Sequence, residues 1–382
     1  PQLSHEPWAT TGALRLSIRT EGALKSPIFI LDAVHETPLG SHEVEIHAEA
    51  WGFAERDIDT AFGRTKDDML GGECGGVVTR VGSECDRSLQ VGDRVYVSAV
   101  GCMRKYPRSH ETGVVKIPEN LSIEATISIL NPAITAYHAL IDISRLGEDD
   151  KILIHLAASR VGQAAVRIAQ KQNARIYATA ASSEEKGFLV EALGIPVEDI
   201  FDCQNPTFAA DVVRATDGEG VDVILNSLAG EDLLRASAQC LVLGGQFIEI
   251  SHANIEAHLN LPLEVFARNI TFSVVDSTRL RPKVLSRLLK AVITLIGDGE
   301  LQIPRSPLVY SVSQLEQAFK KLQDNERGSY LVVTASPQDV VPVSRPLYQF
   351  WYFGIISLRS SPSSNLLQNN RRGSLKSPHR TW

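Results

Sequence analysis

A short apolar run from Lys151 leads into a turn of small side chains, Ala157-Ala158-Ser159-Arg160-Val161-Gly162, and then into a helical pattern. Such a turn lets backbone amides approach a pyrophosphate, with the positive end of a helix dipole behind them. Only Gly162 matches the three-glycine template of a dinucleotide turn. Ala and Ser keep the turn compact, and Arg160 adds a cation that either pairs with phosphate or fills the space meant for it. A strand-to-helix turn with no ligand has the same appearance. About twenty residues on, a second apolar run ends in Ala178-Thr179-Ala180-Ala181-Ser182-Ser183. A carboxylate at such a tip binds the ribose hydroxyls of NAD and repels a 2′-phosphate. Here hydroxyls stand in its place with Lys186 in reach, which favours NADPH as cofactor, although Glu184 and Glu185 weaken the positive field. Spacing therefore nominates Ser159, Arg160, Val161, Gly162, Thr179, Ser182, Ser183 and Lys186 as cofactor-binding residues. For Ser182 and Ser183 the alternative is plain helix capping, with acids in the first turn.

Those residues need a scaffold, and the strongest periodic signal supplies one. Strand-like runs at 151–156, 175–180, 221–226 and 246–251 alternate with helical runs at 161–172, 184–193 and 232–241. Strands apolar on both faces, alternating with helices, make a parallel sheet covered on two sides. The fold class is α/β, a doubly wound parallel-sheet nucleotide unit. Residues 12–120 read instead as strands and Gly-rich turns, at 13–18, 28–31, 44–50, 71–81 and 91–97. From about Leu121 the period turns helical, with helices expected at 123–130 and 135–143. After Ser251 the style is mixed again, with helices at 283–296 and 313–323 and strands at 270–275 and 330–334. The expected division is a β-rich unit from 12–120 and 273–343, a nucleotide unit from 121–272, and a disordered or non-native tail from 344–382.

Composition removes several functions. The chain has 382 residues, 43% hydrophobic and 22% charged, with no apolar run long enough for a membrane span and no signal-peptide pattern. A cytoplasmic protein with no membrane partner is expected. Residues 345–382 carry six basic side chains and no acid, so residues 1–344 hold 32 basic against 45 acidic ones. An acidic body excludes general nucleic-acid binding, which needs a positive face. The five cysteines show no C-x-x-C pair and no His at zinc spacing, so neither a disulfide framework nor a structural metal is expected. In the tail, Tyr348, Phe350, Trp351, Tyr352 and Phe353 precede a Ser-, Asn- and Arg-rich run that cannot build a core alone.

Five stretches carry a resemblance: Leu70-Gly71-Gly72-Glu73-Cys74-Gly75-Gly76-Val77-Val78-Thr79-Arg80-Val81-Gly82, Val91-Gly92-Asp93-Arg94-Val95, Thr135-Ala136-Tyr137, Gly162-Gln163-Ala164-Ala165, and Gly220-Val221-Asp222-Val223-Ile224-Leu225-Asn226-Ser227-Leu228. Together they resemble the enoyl reductase domain of fungal highly reducing polyketide synthases, over about residues 12–343. That family lies in the medium-chain dehydrogenase/reductase superfamily, which also holds quinone oxidoreductases. The resemblance implies a GroES-like β-rich substrate domain, a Rossmann nucleotide domain, and NADPH-dependent reduction of an α,β-unsaturated thioester carried by an acyl carrier protein. Hydride goes to the β-carbon and an acid protonates the α-carbon. It implies no zinc, since Gly72 stands where zinc-using relatives place a His before Glu. It adds Thr135, Asn226, Ser227 and Leu228 to the cofactor site, and other synthase domains and a homodimer to the partners.

Departures from the family are concentrated on the ligand face. Ser159-Arg160 replace the two central glycines of the pyrophosphate loop, Glu185-Lys186 replace Lys-Arg, and Cys203-Gln204 replace Ser-Arg. Ser251-His252 replace Gly-Lys, whose lysine is a proton-donor position. His252, with an imidazole reference pKa of about 6.5 against about 10.4 for an ammonium, is a competent acid at cellular pH. His252 and Asp276 are thus the catalytic candidates, while drift at the first and a turn-forming role at the second are the plainer alternatives. Against the reductase stand a free quinone or enone reductase and a degenerate reductase kept as a scaffold domain.

Overall fold

The structure is a computed structural model that describes residues 2–18, 27–61, 69–257, 263–303, 307–324 and 330–345. The chain opens with strands β1 (Gln2–Pro7), β2 (Leu14–Ile18), β3 (Pro27–Leu31) and β4 (Glu43–Ala54), then a short helix α1 (Glu55–Ala61). Strands β5 (Glu73–Val81), β6 (Arg94–Ser98), β7 (Arg108–His110) and β8 (Val114–Lys116) complete this opening. Helix α2 (Ile123–Tyr137) leads across to β9 (Lys151–Ile154), α3 (Arg160–Lys171), β10 (Arg175–Ala180), α4 (Ser183–Leu193), β11 (Ile200–Asp202) and α5 (Phe208–Ala215). Then come β12 (Val221–Asn226), α6 (Glu231–Gln239), β13 (Leu241–Glu249), α7 (His252–Glu256) and β14 (Thr271–Val274). Helix α8 (Pro282–Gly297), β15 (Leu308–Ser311), α9 (Leu315–Asp324), β16 (Tyr330–Thr334) and β17 (Val340–Arg345) return to the first unit.

Two antiparallel-rich sheets build the β-rich unit, in the orders β1-β17-β3-β2 and β15-β16-β4-β5-β6-β8, with β7 on β4. The nucleotide unit is a six-stranded parallel sheet in the order β11-β10-β9-β12-β13-β14. Buried residues such as Ile152, Leu153, Ile154, Ile224 and Leu225 fill both of its faces, which is why its strands read as unbroken apolar runs. The chain leaves β9 toward β10 and β11 and then returns to place β12 on the other side of β9. That reversal opens a crevice at the C-terminal ends of β9 and β12, the place where open α/β sheets bind ligands.

Several expectations are corrected. Helix α2 is one element through Pro132 rather than two helices, and it continues as a wider turn over His138–Ile143. Packing of its buried face against the strands and α3 outweighs the missing proline amide. Strand β11 and helix α5 have no counterpart among the expected elements; β11 is only Ile200-Phe201-Asp202, too short to give a period. Strand β13 starts at Leu241, five residues early, carrying Gly244-Gly245 inside it. The expected division at 272/273 falls inside β14, which pairs with β13 from Thr271 to Val274. Strands β1 and β17 pair over Gln2–Pro7 and Val340–Arg345, so both ends of the described chain belong to the β-rich unit. Beyond Ser344 and Arg345, the expected tail lies outside the described residues.

Candidate functional site

The turn after β9 is held from behind by a buried histidine. His155 is 1% exposed, and burial pushes its pKa down to about 3, so the ring is neutral. Ser237 Oγ donates to the Leu233 carbonyl at 2.8 Å, which leaves it to accept from His155 Nε2 at 2.9 Å. His155 Nδ1 then accepts from Thr179 Oγ1 at 3.2 Å, and that oxygen accepts from the Leu156 amide at 3.0 Å. Thr179 is fully buried, and its hydroxyl is spent on the inner side of the turn. Ser227 Oγ adds a donor to the His155 carbonyl at 2.9 Å. The turn is tight enough for Leu156 to take φ 48°. A Cβ on Gly162 would stand 2.5 Å from the Leu156 carbonyl oxygen, so glycine is what lets α3 start this close to the strand. Ser159 caps α3, accepting from the Gly162 amide at 3.1 Å, and Val161 packs on the core.

Arg160 turns inward. It is 9% exposed, Nη1 donates to the Ser128 carbonyl of α2 at 2.8 Å, and the guanidinium lies 5.6 Å from the centre of the Tyr330 ring. The Ser128 carbonyl is four residues before Pro132, whose missing N–H leaves it without its helical donor. Arg160 supplies that donor. Tyr330 donates to the Ile127 carbonyl at 2.8 Å and lies beside Glu73. Glu73 accepts from Tyr96 at 2.6 Å and from Asn131 at 3.3 Å, and burial pushes its carboxyl up to about 7. Thr135, buried in the same helix, donates to the Asn131 carbonyl at 3.1 Å.

The tip of β10 carries more acid than the sequence suggests. Ser182 caps α4 through the Glu185 amide at 3.2 Å, and Ser183 is exposed. Glu185 folds back to accept from the Ala181 amide at 2.8 Å, while Gln204 Nε2 donates to the Ala181 carbonyl at 2.9 Å. Lys186 Nζ donates to the Ile200 carbonyl at 2.9 Å. In the β10–β11 ladder Ala180 stands opposite Asp202, an exposed carboxylate that strand β11 brings to this tip.

At the ends of β12 and β13 lies a network that motif reading missed apart from Asn226. Glu249, 1% exposed, accepts from Asn226 Nδ2 at 2.8 Å, Asn254 Nδ2 at 2.9 Å and the Ser251 amide at 2.7 Å. Burial pushes its carboxyl up to about 6. Asn254 also donates to the Leu228 carbonyl at 2.7 Å and accepts from the Gly230 amide at 3.0 Å. The only sequence signal was an acid inside an otherwise apolar strand. His252 begins α7 at this edge, and its side chain lies outside the described residues. Asp276 caps a short turn, accepting from the Thr278 amide at 2.9 Å and pairing with Arg279 at 3.1 Å.

The crossover thus brings Ser159, Gly162, Asn226, Ser227, Leu228 and the start of α7 to one edge of the sheet, with Ser182, Ser183 and Lys186 beside the neighbouring strand. Thr135, Thr179 and Arg160 are set back from it, engaged with backbone and ring partners. A nicotinamide dinucleotide fits this edge: helix α3 points its N-terminus at the crevice, and its first turn is short of side-chain bulk once Arg160 is turned inward. Among the described residues no three His, Cys, Asp or Glu side chains form a group suited to a metal ion. Nor is any described helix long and apolar enough to cross a membrane.

Comparison with known proteins gives the same picture. A family model described as alcohol dehydrogenase GroES-like domain matches residues 40–120, and one described as zinc-binding dehydrogenase matches residues 197–332. Highly reducing polyketide synthase 2 of Gibberella zeae is 37% identical over 343 residues, which is 89% of this chain and 13% of that protein. Highly-reducing polyketide synthase 1 of Aureobasidium melanogenum is 36% identical over 337 residues, 87% of this chain and 15% of that protein. The chain therefore spans about one-seventh of the length of these relatives. Among solved structures, the CurK enoyl reductase is 28% identical with a TM-score of 0.75, covering 85% of this chain and 99% of that one. The JamJ enoyl reductase is 26% identical with the same TM-score, covering 85% and 100%.

Proposed function

The chain belongs to the medium-chain dehydrogenase/reductase superfamily, with the enoyl reductase domains of fungal highly reducing polyketide synthases, and on that premise we propose that it is a zinc-independent, NADPH-dependent enoyl reductase. Its substrate is an α,β-unsaturated acyl thioester on an acyl carrier protein. The observation that carries this reading is the crossover between β9 and β12, which sets the N-terminus of α3 and the Asn226–Leu228 loop on one edge. The first-turn amides of α3 would hold the pyrophosphate, with Ser159 fixing the turn. Ser182, Ser183 and Lys186 would hold the adenosine end, with Lys186 the cation for a 2′-phosphate and Asp202 a carboxylate opposing it. When bound, the cofactor supplies the hydride for the β-carbon. His252 delivers the proton to the α-carbon, with Asp276 as the second acid on the neighbouring strand's end. Other synthase domains and a second copy of the chain are its partners, and the cytoplasm is its compartment.

Calorimetric titration of the chain with NADPH and NADH tests the reading. Tighter binding of NADPH is expected; equal affinities overturn the preference, and no binding of either overturns the cofactor site. One set of observations favours a scaffold reading instead: Arg160, Lys186, Ser182 and Asp276 all make internal bonds. Absence of binding would leave that reading standing.

A further inference from the structure

We propose that Glu249 is a positioning residue for the nicotinamide end of the site, its carboxylate tying the loop after β12 to the turn after β13. This rests on the reading of that edge as the cofactor site. The geometry is a three-way tie. One carboxylate, closed off from water, receives Asn226 from the last residue of β12, the Ser251 amide from the turn, and Asn254 from α7. Asn254 extends the tie to the carbonyl of Leu228 and the amide of Gly230. Remove the charge acceptor and two loops lose their common anchor, including the backbone from which His252 departs.

The groups bonded to Glu249 are uncharged: two side-chain amides and one backbone N–H. Along the chain, the next titratable residues on the packed elements are His252, three residues on, and Asp276, next to Val275, whose amide donates to the Glu249 carbonyl at 2.9 Å. Burial without a cation partner raises the carboxyl to about 6. Above that pH all three donors find an acceptor. Below it one oxygen carries a proton and turns donor toward donor, and the tie loosens.

Two variants, Glu249→Gln and Asn254→Ala, test this by amide exchange and by NADPH affinity across the pH range around 6. In the wild type, protection of the Ser251 and Gly230 amides should fall as pH drops through about 6, and NADPH affinity should fall with it. Glu249→Gln should lose about tenfold in protection and in NADPH affinity at neutral pH, and both should stop responding to pH in this window. Asn254→Ala keeps the carboxylate, so Gly230 should lose protection while Ser251 keeps its pH response. Unchanged protection and an unchanged pH response in Glu249→Gln would overturn the proposal. Exchange that behaves as stated in a chain that never binds NADPH would uphold the tie and overturn the cofactor reading alone.

Discussion

His155 illustrates how a buried titratable residue is made safe and what it costs at acid pH. Its folded pKa of about 3 lies below the ordinary value of 6.5. As pH falls below 6.5 the unfolded chain takes up a proton that the folded chain refuses, so stability is full above that value and lost as pH falls toward about 3. The slope is up to about 1.4 kcal/mol per pH unit. Urea unfolding of wild type and His155→Gln should show the wild type ahead at neutral pH, with its lead shrinking by about 2 kcal/mol by about pH 5; a lead that does not change with pH would show that the folded chain takes up the proton as readily as the unfolded one. Lys186 carries the second prediction at this scale. Lys186→Glu should weaken NADPH binding by about 10–100-fold, the range for a lost charge-assisted contact, and NADH binding by less. An equal loss for both cofactors would mean that the residue acts only through the Ile200 carbonyl. At this scale the sequence was legible where a residue's role is local: Ser182 and Asp276 cap, as their types suggest. It was not legible for Glu249 or Asn254, whose roles depend on partners more than twenty residues away in β12 and its loop.

A helix with a proline in its interior and a buried arginine at the start of the next are, in the fold, one feature. Pro132 leaves the Ser128 carbonyl free, and Arg160 Nη1 donates to it from α3. Arg160→Ala should cost about 1–3 kcal/mol, the penalty of an unsatisfied buried carbonyl. In a Pro132→Ala background, where an amide returns to α2, the same change should cost less, with a coupling of about 0.5–3 kcal/mol in a double-mutant cycle. Additive costs would show that Arg160 owes its place to the Tyr330 ring instead. From the sequence alone Arg160 was a phosphate ligand or an obstruction, because nothing in the spacing places α2 beside α3. The alternation from β9 to β13 was readable because parallel strands buried on both faces must be apolar throughout. The short strand β11 was not, and with it went Asp202, which arrives at the β10 tip only through the sheet ladder.

The two ends of the described chain close the molecule. Strand β17 lies between β1 and β3, with Val341 and Val343 fully buried, and Arg345 is bonded to Glu6 at 2.6 Å. Deleting residues 347–382 should leave the thermal midpoint unchanged, whereas ending the chain at Asp339 should lower it sharply, because β1 and β3 lose a shared neighbour; a large drop from the first deletion would show the aromatic cluster to be packed. The gathering of β1 and β17 into one sheet could not be read locally, since pairing across more than 330 residues leaves no period. The overall two-unit plan could, from the change of style at Leu121 and after Ser251. All of it serves one chemical claim, that hydride passes from NADPH to the β-carbon of an unsaturated thioester. The most direct test is to incubate the chain with NADPH deuterated on the transferred face of the nicotinamide and an enoyl thioester, and to locate the label in the product. Deuterium on the β-carbon of a saturated thioester is the predicted result; NADPH left unoxidised, or deuterium on the former carbonyl carbon of an alcohol, would contradict it.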